Sequence, residues 1–141
     1  MPMTPFTQRF PELGTRETRT ITTAGLASLP ADEYALLELY CGESGCDCRR
    51  VVIEVVARST GETVAIINYG WENLEFYEQK LGSEEYAREV VAASLDPINP
   101  QSRHAPMLLA MFREVVKHRA YTERLARHYQ LFKDALRPNA R

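Results

Sequence analysis

The arrangement of apolar and polar residues changes near position 70 of the chain. Before that point, short runs of β-branched residues are separated by glycine and polar turns, a pattern typical of strands. After it, apolar residues recur every three or four positions, as on one face of a helix. The order predicts an α+β class: a small antiparallel sheet of three or four strands, packed against three or four C-terminal helices.

Four segments of the first half are predicted strands: Arg19–Thr23, 34–41, Arg50–Ala57 and 63–69. The third and fourth are rich in valine and isoleucine, and residues 59–62 supply a turn between them, which predicts a hairpin. If segment 34–41 is extended, its side chains alternate between the two faces of the sheet. One face then carries Ala35, Leu37, Leu39 and Cys41, and the other carries Tyr34, Leu36, Glu38 and Tyr40.

The second half predicts four amphipathic helices, over residues 71–81, 83–95, 105–117 and 121–136. Gly82 fits the C-terminal end of the first helix, and Ser83 offers a hydroxyl cap for the second. Two prolines make 96–100 a rigid loop. The polar residues that follow are expected to satisfy the loop backbone and to cap the third helix; they are Asn99, Gln101 and Ser102.

The length of 141 residues allows one domain with one core. We divide it into an extended arm over 1–15, a mainly β part over 16–70 that holds a cysteine loop at 41–48, and a mainly helical part over 71–138. Apolar residues are 45% and charged residues 26%, which excludes a disordered chain. No apolar run approaches the length of a membrane span, and the N-terminus does not resemble a secretory signal. These features predict a cytoplasmic protein without a membrane partner.

Charge is unevenly distributed although the net charge is only −2. Residues 1–102 carry 8 basic and 16 acidic side chains, whereas residues 103–141 carry 9 basic and 3 acidic ones. Two parts of opposite sign attract each other without any partner. The alternative is a nucleic-acid-associated protein that uses the basic residues of the last helices. Those residues are Arg113, Lys117, Arg119, Arg124, Arg127 and Lys133.

Three cysteines, Cys41, Cys46 and Cys48, lie within eight positions. An odd number in a reducing compartment argues against a disulfide framework. Thiolates cluster stably when a cation offsets their charge, and Zn²⁺ takes four such ligands in a tetrahedron. The sequence therefore predicts a zinc site that needs a fourth ligand.

His128 is the predicted fourth ligand, because on a helix it lies three residues after Leu125 and four before Phe132, on the inward face. The alternative is a core-edge histidine that is hydrogen-bonded to a backbone group. Four other residues remain candidates for the ligand: His104, His118, Glu43 and Asp47.

Instead of binding zinc, the three cysteines could be buried, reduced thiols. Two further interpretations of them also stay open. Arg49 and Arg50 next to Cys48 could lower a thiol pKa and favour redox chemistry. An open metal site could act as a metalloenzyme centre. No phosphate loop, nucleophile elbow, His-Glu-x2-His or dinucleotide motif occurs in the chain, so the sequence favours a non-enzymatic metal-binding domain with a possible protein partner.

Several segments together resemble a family of uncharacterised bacterial proteins. They are the Tyr-Cys-x4-Cys-Asp-Cys-Arg-Arg-Val block at 40–51, the Tyr-Gly-Trp-Glu segment at 69–72 and the Leu-Asp-Pro-x-Asn-Pro-Gln-Ser loop at 95–102. The resemblance extends to 10–13, 15–19 and 127–129 and implies one compact domain. It implies that the cysteine block, the loop and His128 belong to a shared pattern, whereas His104 does not. It implies no particular activity.

Overall fold

The computed structural model describes residues 3–25 and 29–137. Within them the chain forms one antiparallel sheet of six strands, larger than the three or four expected. The strands are β1 (Met3–Pro5), β2 (Arg19–Thr23), β3 (Asp32–Cys41), β4 (Arg50–Ala57), β5 (Thr63–Gly70) and β6 (Ser94–Leu95). Their order is β1-β3-β4-β5-β6, and β2 also pairs with β3. The two strands that the sequence missed, β1 and β6, are too short to show a period of two.

Six helices complete the described fold, four of them in the C-terminal half. They are α1 (Phe6–Arg9), α2 (Pro11–Glu17), α3 (Leu74–Leu81), α4 (Glu84–Ala92), α5 (Ala105–Val115) and α6 (Arg119–Leu136). The predicted boundary between α3 and α4 is confirmed, since Gly82 takes a left-handed conformation with φ of 69° and Ser83 Oγ accepts from the Tyr86 amide at 3.1 Å.

The prediction of an extended arm over residues 1–15 is corrected by α1 and α2, which lie in it. Phe6 is buried and stacks on the imidazole of His128 at 4.2 Å between ring centroids. Pro11 begins α2, a position where its missing N–H costs nothing. These helices are short and form against the rest of the molecule, so their sequence shows no clear amphipathic period.

The main core lies on one face of the sheet, between the central strands and helices α5 and α6. On β3 this face carries the buried side chains Tyr34, Leu36, Glu38 and Tyr40, which confirms the predicted alternation.

The helix pair α3–α4 forms a separate apolar cluster. Alternation along β5 directs Gly70 to the opposite face, where a Cβ would meet Tyr77 and Val90. The helices therefore cover parts of both faces.

The loop after β6 closes one edge of the sheet with side chains. The Gln101 amide accepts from the Ile66 N–H and donates to the Ile66 carbonyl, both at 2.9 Å, as a neighbouring strand would. Ser102 Oγ donates to the Val64 carbonyl at 2.7 Å and accepts from the His104 amide just before α5. These contacts agree with the backbone role expected of Gln101 and Ser102, whereas the N-cap position of α5 is taken by His104 rather than by Ser102.

None of the helices in the described part of the chain has the length and apolarity that a membrane span requires.

Candidate metal centre

The three cysteines converge at the end of β3 and in the loop that follows it. Their Sγ atoms all lie within 4.8 Å of one another. Cys41 is fully buried and Cys48 is 6% exposed, whereas Cys46 is only half-buried. The loop turns back on itself through a hydrogen bond from the Cys46 amide to the Glu43 carbonyl at 3.2 Å. The sequence prediction that these three residues form one cluster is therefore confirmed.

The geometry of the thiols suits a single soft cation. Zinc–sulfur bonds of about 2.3 Å at tetrahedral angles place sulfurs roughly 3.8 Å apart, within the limit that the three Sγ atoms satisfy. Burial, together with the neighbouring Cys48 and Cys41 thiols, raises the pKa of Cys46 to about 11. The Cys46 thiol thus stays protonated at neutral pH unless a cation compensates the charge of its thiolate. Among residues 3–25 and 29–137, no fourth histidine, cysteine or carboxylate joins the group.

Helix α6 holds the cysteine loop through Lys133 and Tyr129. The Lys133 ammonium donates to the carbonyl oxygens of Cys41, at 3.0 Å, and Glu43, at 2.7 Å. Tyr129 donates its hydroxyl proton to Asp47 Oδ1 at 2.8 Å. The sequence reasoning predicted a link between this loop and the last helix but assigned it to His128. It overlooked Tyr129 as the second contact and treated Lys133 only as a basic surface residue.

Arg49 ends the loop in a strained conformation, with φ of 48°. Its guanidinium bonds the Asp47 carboxylate at 2.9 Å and the Glu72 carboxylate at 3.3 Å. Its carbonyl accepts from the Tyr77 hydroxyl at 2.5 Å, and that hydroxyl accepts from the Glu72 amide at 3.1 Å. These contacts fix the exit of the loop against α3.

Arg50 places a positive charge beside the cluster. Burial lowers the pKa of its guanidinium, but interactions with the Cys48 and Tyr86 side chains outweigh burial, so the pKa is raised overall. Its Nη1 also donates to the Tyr86 hydroxyl at 3.1 Å. The sequence suggested that this arginine would activate a thiol. In the fold it can instead offset the charge of a thiolate that binds a metal.

His128 does not meet the cysteines in this structure. It is 1% exposed, and its two ring nitrogens contact the carboxylates of Glu38, at 2.7 Å, and Glu17, at 2.6 Å. The physical reason lies in the alternation of β3: Glu38 faces the core beneath α6, whereas Cys41 belongs to the opposite set. The structure thus places His128 as a core histidine and corrects the proposed set of four ligands.

The four alternative ligands also stay outside the cluster. His104 directly precedes α5, and His118 is exposed directly before α6. Asp47 is engaged by Arg49 and Tyr129, which together with its other contacts hold the pKa of its carboxyl below the usual range. Glu43 contributes its backbone carbonyl to Lys133 rather than a carboxylate to the thiols.

A cavity of about 410 Å³ opens beside Cys46. Its wall contains aromatic rings from Trp71 and Tyr129, which meet edge to face at 5.4 Å. It also contains charged groups from Arg49 and Lys133. The most accessible of the three thiols therefore faces a space that could admit a small molecule.

The basic residues of the last helices are engaged within the chain. Arg113 donates to the carbonyls of Ala92 and Ala93, and Arg124 and Arg127 bond Glu17. Lys117, just after α5, pairs with Glu114, and Arg119 pairs with Glu123 on α6. Lys133 binds the cysteine loop. These contacts favour the internal use of the charge asymmetry over a surface for nucleic acid.

Comparisons of the chain with family models, with curated proteins and with solved structures found no significant match.

Proposed function

We propose that this chain is a zinc-binding domain in which Cys41, Cys46 and Cys48 supply three thiolates. The convergence of their Sγ atoms within 4.8 Å carries the proposal. Thiolate ligands favour zinc among the divalent ions that a reducing compartment offers, and they need no redox partner to bind it. The ion crosslinks the end of β3 to the loop that follows, and so gives the domain a structural, non-enzymatic centre.

The attachment of the loop to α6 supports a structural role. Lys133 and Tyr129 hold the loop backbone and Asp47 against α6. A metal held there would stabilise the packing of the sheet end against the last helix, since binding to the folded chain alone raises its stability. The domain is then a stable body that can present its surface to a protein partner.

A second candidate is an open-site metalloenzyme, because catalytic zinc sites retain a position for water or substrate. The three-thiol donor set and the cavity beside Cys46 favour it. The thiol-redox alternative has less support. A Cys46 pKa raised to about 11 leaves little thiolate to attack a disulfide at neutral pH.

The test is native mass spectrometry with elemental analysis of anaerobically purified, untagged protein. We expect one zinc per chain, lost in Cys46→Ser and retained in Ser44→Ala, a matched change in the same loop. Retention of zinc in His128→Asn would show that the buried histidine is not a ligand of the metal. A wild-type protein without stoichiometric metal would overturn the proposal.

A further inference from the structure

Lys133 is a buried cation beside the metal centre. The residue is only 8% exposed, and the hydrogen bonds that the described structure gives its ammonium go to two neutral carbonyls, those of Cys41 and Glu43. An ammonium has three protons to donate, and a buried charge is costly unless an opposite charge compensates it. Lys133 also lines the cavity into which Cys46 faces. The ammonium also lies 5.8 Å from the centroid of the Tyr129 ring. Its third proton remains for a hydrogen bond to a molecule bound there.

The carboxylates of the cavity wall are already committed to another cation. Asp47 and Glu72 both pair with the Arg49 guanidinium, at 2.9 Å and 3.3 Å. Asp47 accepts from Tyr129 as well. These acids are thus held away from the role of counter-ion to Lys133. Two carboxylates thus share one guanidinium, and Arg137 adds another basic side chain, so the cavity lining holds three basic and two acidic side chains.

Charge balance at the centre favours an anionic fourth ligand. Three thiolates on a divalent ion carry a net charge of −1, and the guanidinium beside Cys48, from Arg50, offsets it. The cavity lining, with three basic and two acidic side chains, has one positive charge in excess for a further anion. A tetrahedral ion with three protein donors also has one position left for a donor from outside.

We propose, on the basis of the function proposed above, that the cavity beside Cys46 binds a small organic anion. Its thiolate or carboxylate occupies the fourth position of the metal, Lys133 balances its charge, and its carbon body lies against Trp71. The ligand class is thus a small thiol or carboxylic acid that enters and leaves while the three cysteines keep the metal.

The experiment uses the full chain loaded anaerobically with Co²⁺ in place of zinc, because the absorption of Co²⁺ reports its donors. Trp71 is the single tryptophan of the chain and lines the cavity, so its fluorescence reports binding independently. The probes are mercaptoacetate, acetate and 2-mercaptoethanol. A response to acetate identifies a carboxylate donor, and a response to 2-mercaptoethanol identifies a thiolate donor.

We expect at least one of these probes to change both the Co²⁺ spectrum and the fluorescence in a saturable manner. In Lys133→Gln the dissociation constant should rise at least tenfold, whereas Lys133→Arg should largely retain binding. The matched control is Lys117→Gln, an exposed lysine paired with Glu114, which should bind as wild type does. If Lys133→Gln weakens the loop, titration of the wild-type protein with the probes still tests the proposal.

Stoichiometric metal without any spectral or fluorescence response to the probes would overturn this inference and leave the metal-binding function intact. Equal affinities in wild type and a metal-loaded Lys133→Gln would overturn it as well, because the ammonium would then contribute nothing. A protein that binds no metal would refute both proposals.

Discussion

His128 Nδ1 lies 2.7 Å from Glu38 Oε1, inside the face of the sheet that α6 covers. The other ring nitrogen lies 2.6 Å from Glu17 Oε1, and Glu38 also accepts from the Tyr40 hydroxyl at 2.7 Å. Each of the two imidazole contacts needs a proton between nitrogen and oxygen. The histidine therefore joins α2, β3 and α6 through a buried polar network.

Replacement of His128 by asparagine should destabilise the fold without removing the metal. The change leaves Glu38, a buried carboxylate, without its nitrogen partner, and breaking a buried pair in this way costs about 3–5 kcal/mol. Urea denaturation measures the loss. His118→Asn, at an exposed position, should change stability by less than about 0.5 kcal/mol. If His128→Asn lost its metal at unchanged stability, the histidine would be a ligand after all.

Glu17 should make the stability of the protein depend on pH in the acidic range. Hydrogen bonds from His128, then Arg127, hold the pKa of Glu17 below its ordinary value of 4.5. A carboxyl whose pKa is lower in the folded than in the unfolded chain stabilises the fold at pH values above its unfolded-state pKa. This contribution is lost as the pH falls through the folded-state pKa. The stability difference between wild type and Glu17→Gln should thus be full at pH 7 and shrink below about pH 4.5.

Urea denaturation from pH 3 to 7 tests this dependence. Glu12→Gln changes an exposed carboxylate on the same helix and should show a smaller difference at every pH. A Glu17→Gln difference that stays constant across the range would contradict the coupling between Glu17 and the imidazole.

Local sequence patterns predicted most of the fold and the thiol cluster. The four longer strands and four C-terminal helices follow from β-branched runs, helical periods and the signals at Gly82 and Ser83. The cluster followed because a short loop keeps Cys46 and Cys48 close to the end of β3. Patterns of this kind involve residues that are close together in the sequence, so they can be recognised from a single sequence.

The surroundings of His128 could not be predicted from local patterns, because they depend on contacts with residues about 90 and 110 positions away in the sequence. One signal was present: Glu38 is a charged residue among the apolar side chains of its face, and a buried carboxylate requires a partner. The same alternation directs Cys41 to the other face. Helices α1 and α2 were missed for a related reason, since Phe6 stacks on the nearby Phe10 but also packs against Tyr40 and His128, which are distant in sequence.

Gln101→Ala should destabilise the protein at the edge of β5. The substitution removes the acceptor of the Ile66 N–H and one of the donors to the Ile66 carbonyl, which still accepts from the Asp96 amide. An unsatisfied backbone N–H costs about 1–3 kcal/mol. Hydrogen exchange at the Ile66 amide should become faster. Gln130→Ala, which removes an exposed amide paired with Asp134, serves as control. Unchanged exchange at Ile66 would show that water replaces the side chain at no cost.

Gly70→Ala should loosen the contact between the sheet and the α3–α4 pair. An added Cβ would overlap the Tyr77 hydroxyl and lie 2.7 Å from Val90 Cγ1, so buried groups must move. Overpacking of this kind costs about 1–3 kcal/mol. Because the same hydroxyl bonds the Arg49 carbonyl, the exit of the cysteine loop should become less ordered.

The control for Gly70→Ala is Gly45→Ala, where an added Cβ meets nothing within 4 Å. Denaturant midpoints compare the two variants, and Gly70→Ala should have the lower one. Adding Tyr77→Phe to Gly70→Ala should cost less than Tyr77→Phe costs in the wild type, since the steric conflict involves the hydroxyl that it removes. Strictly additive losses would place the strain at the ring of residue 77 or at Val90 rather than at the hydroxyl.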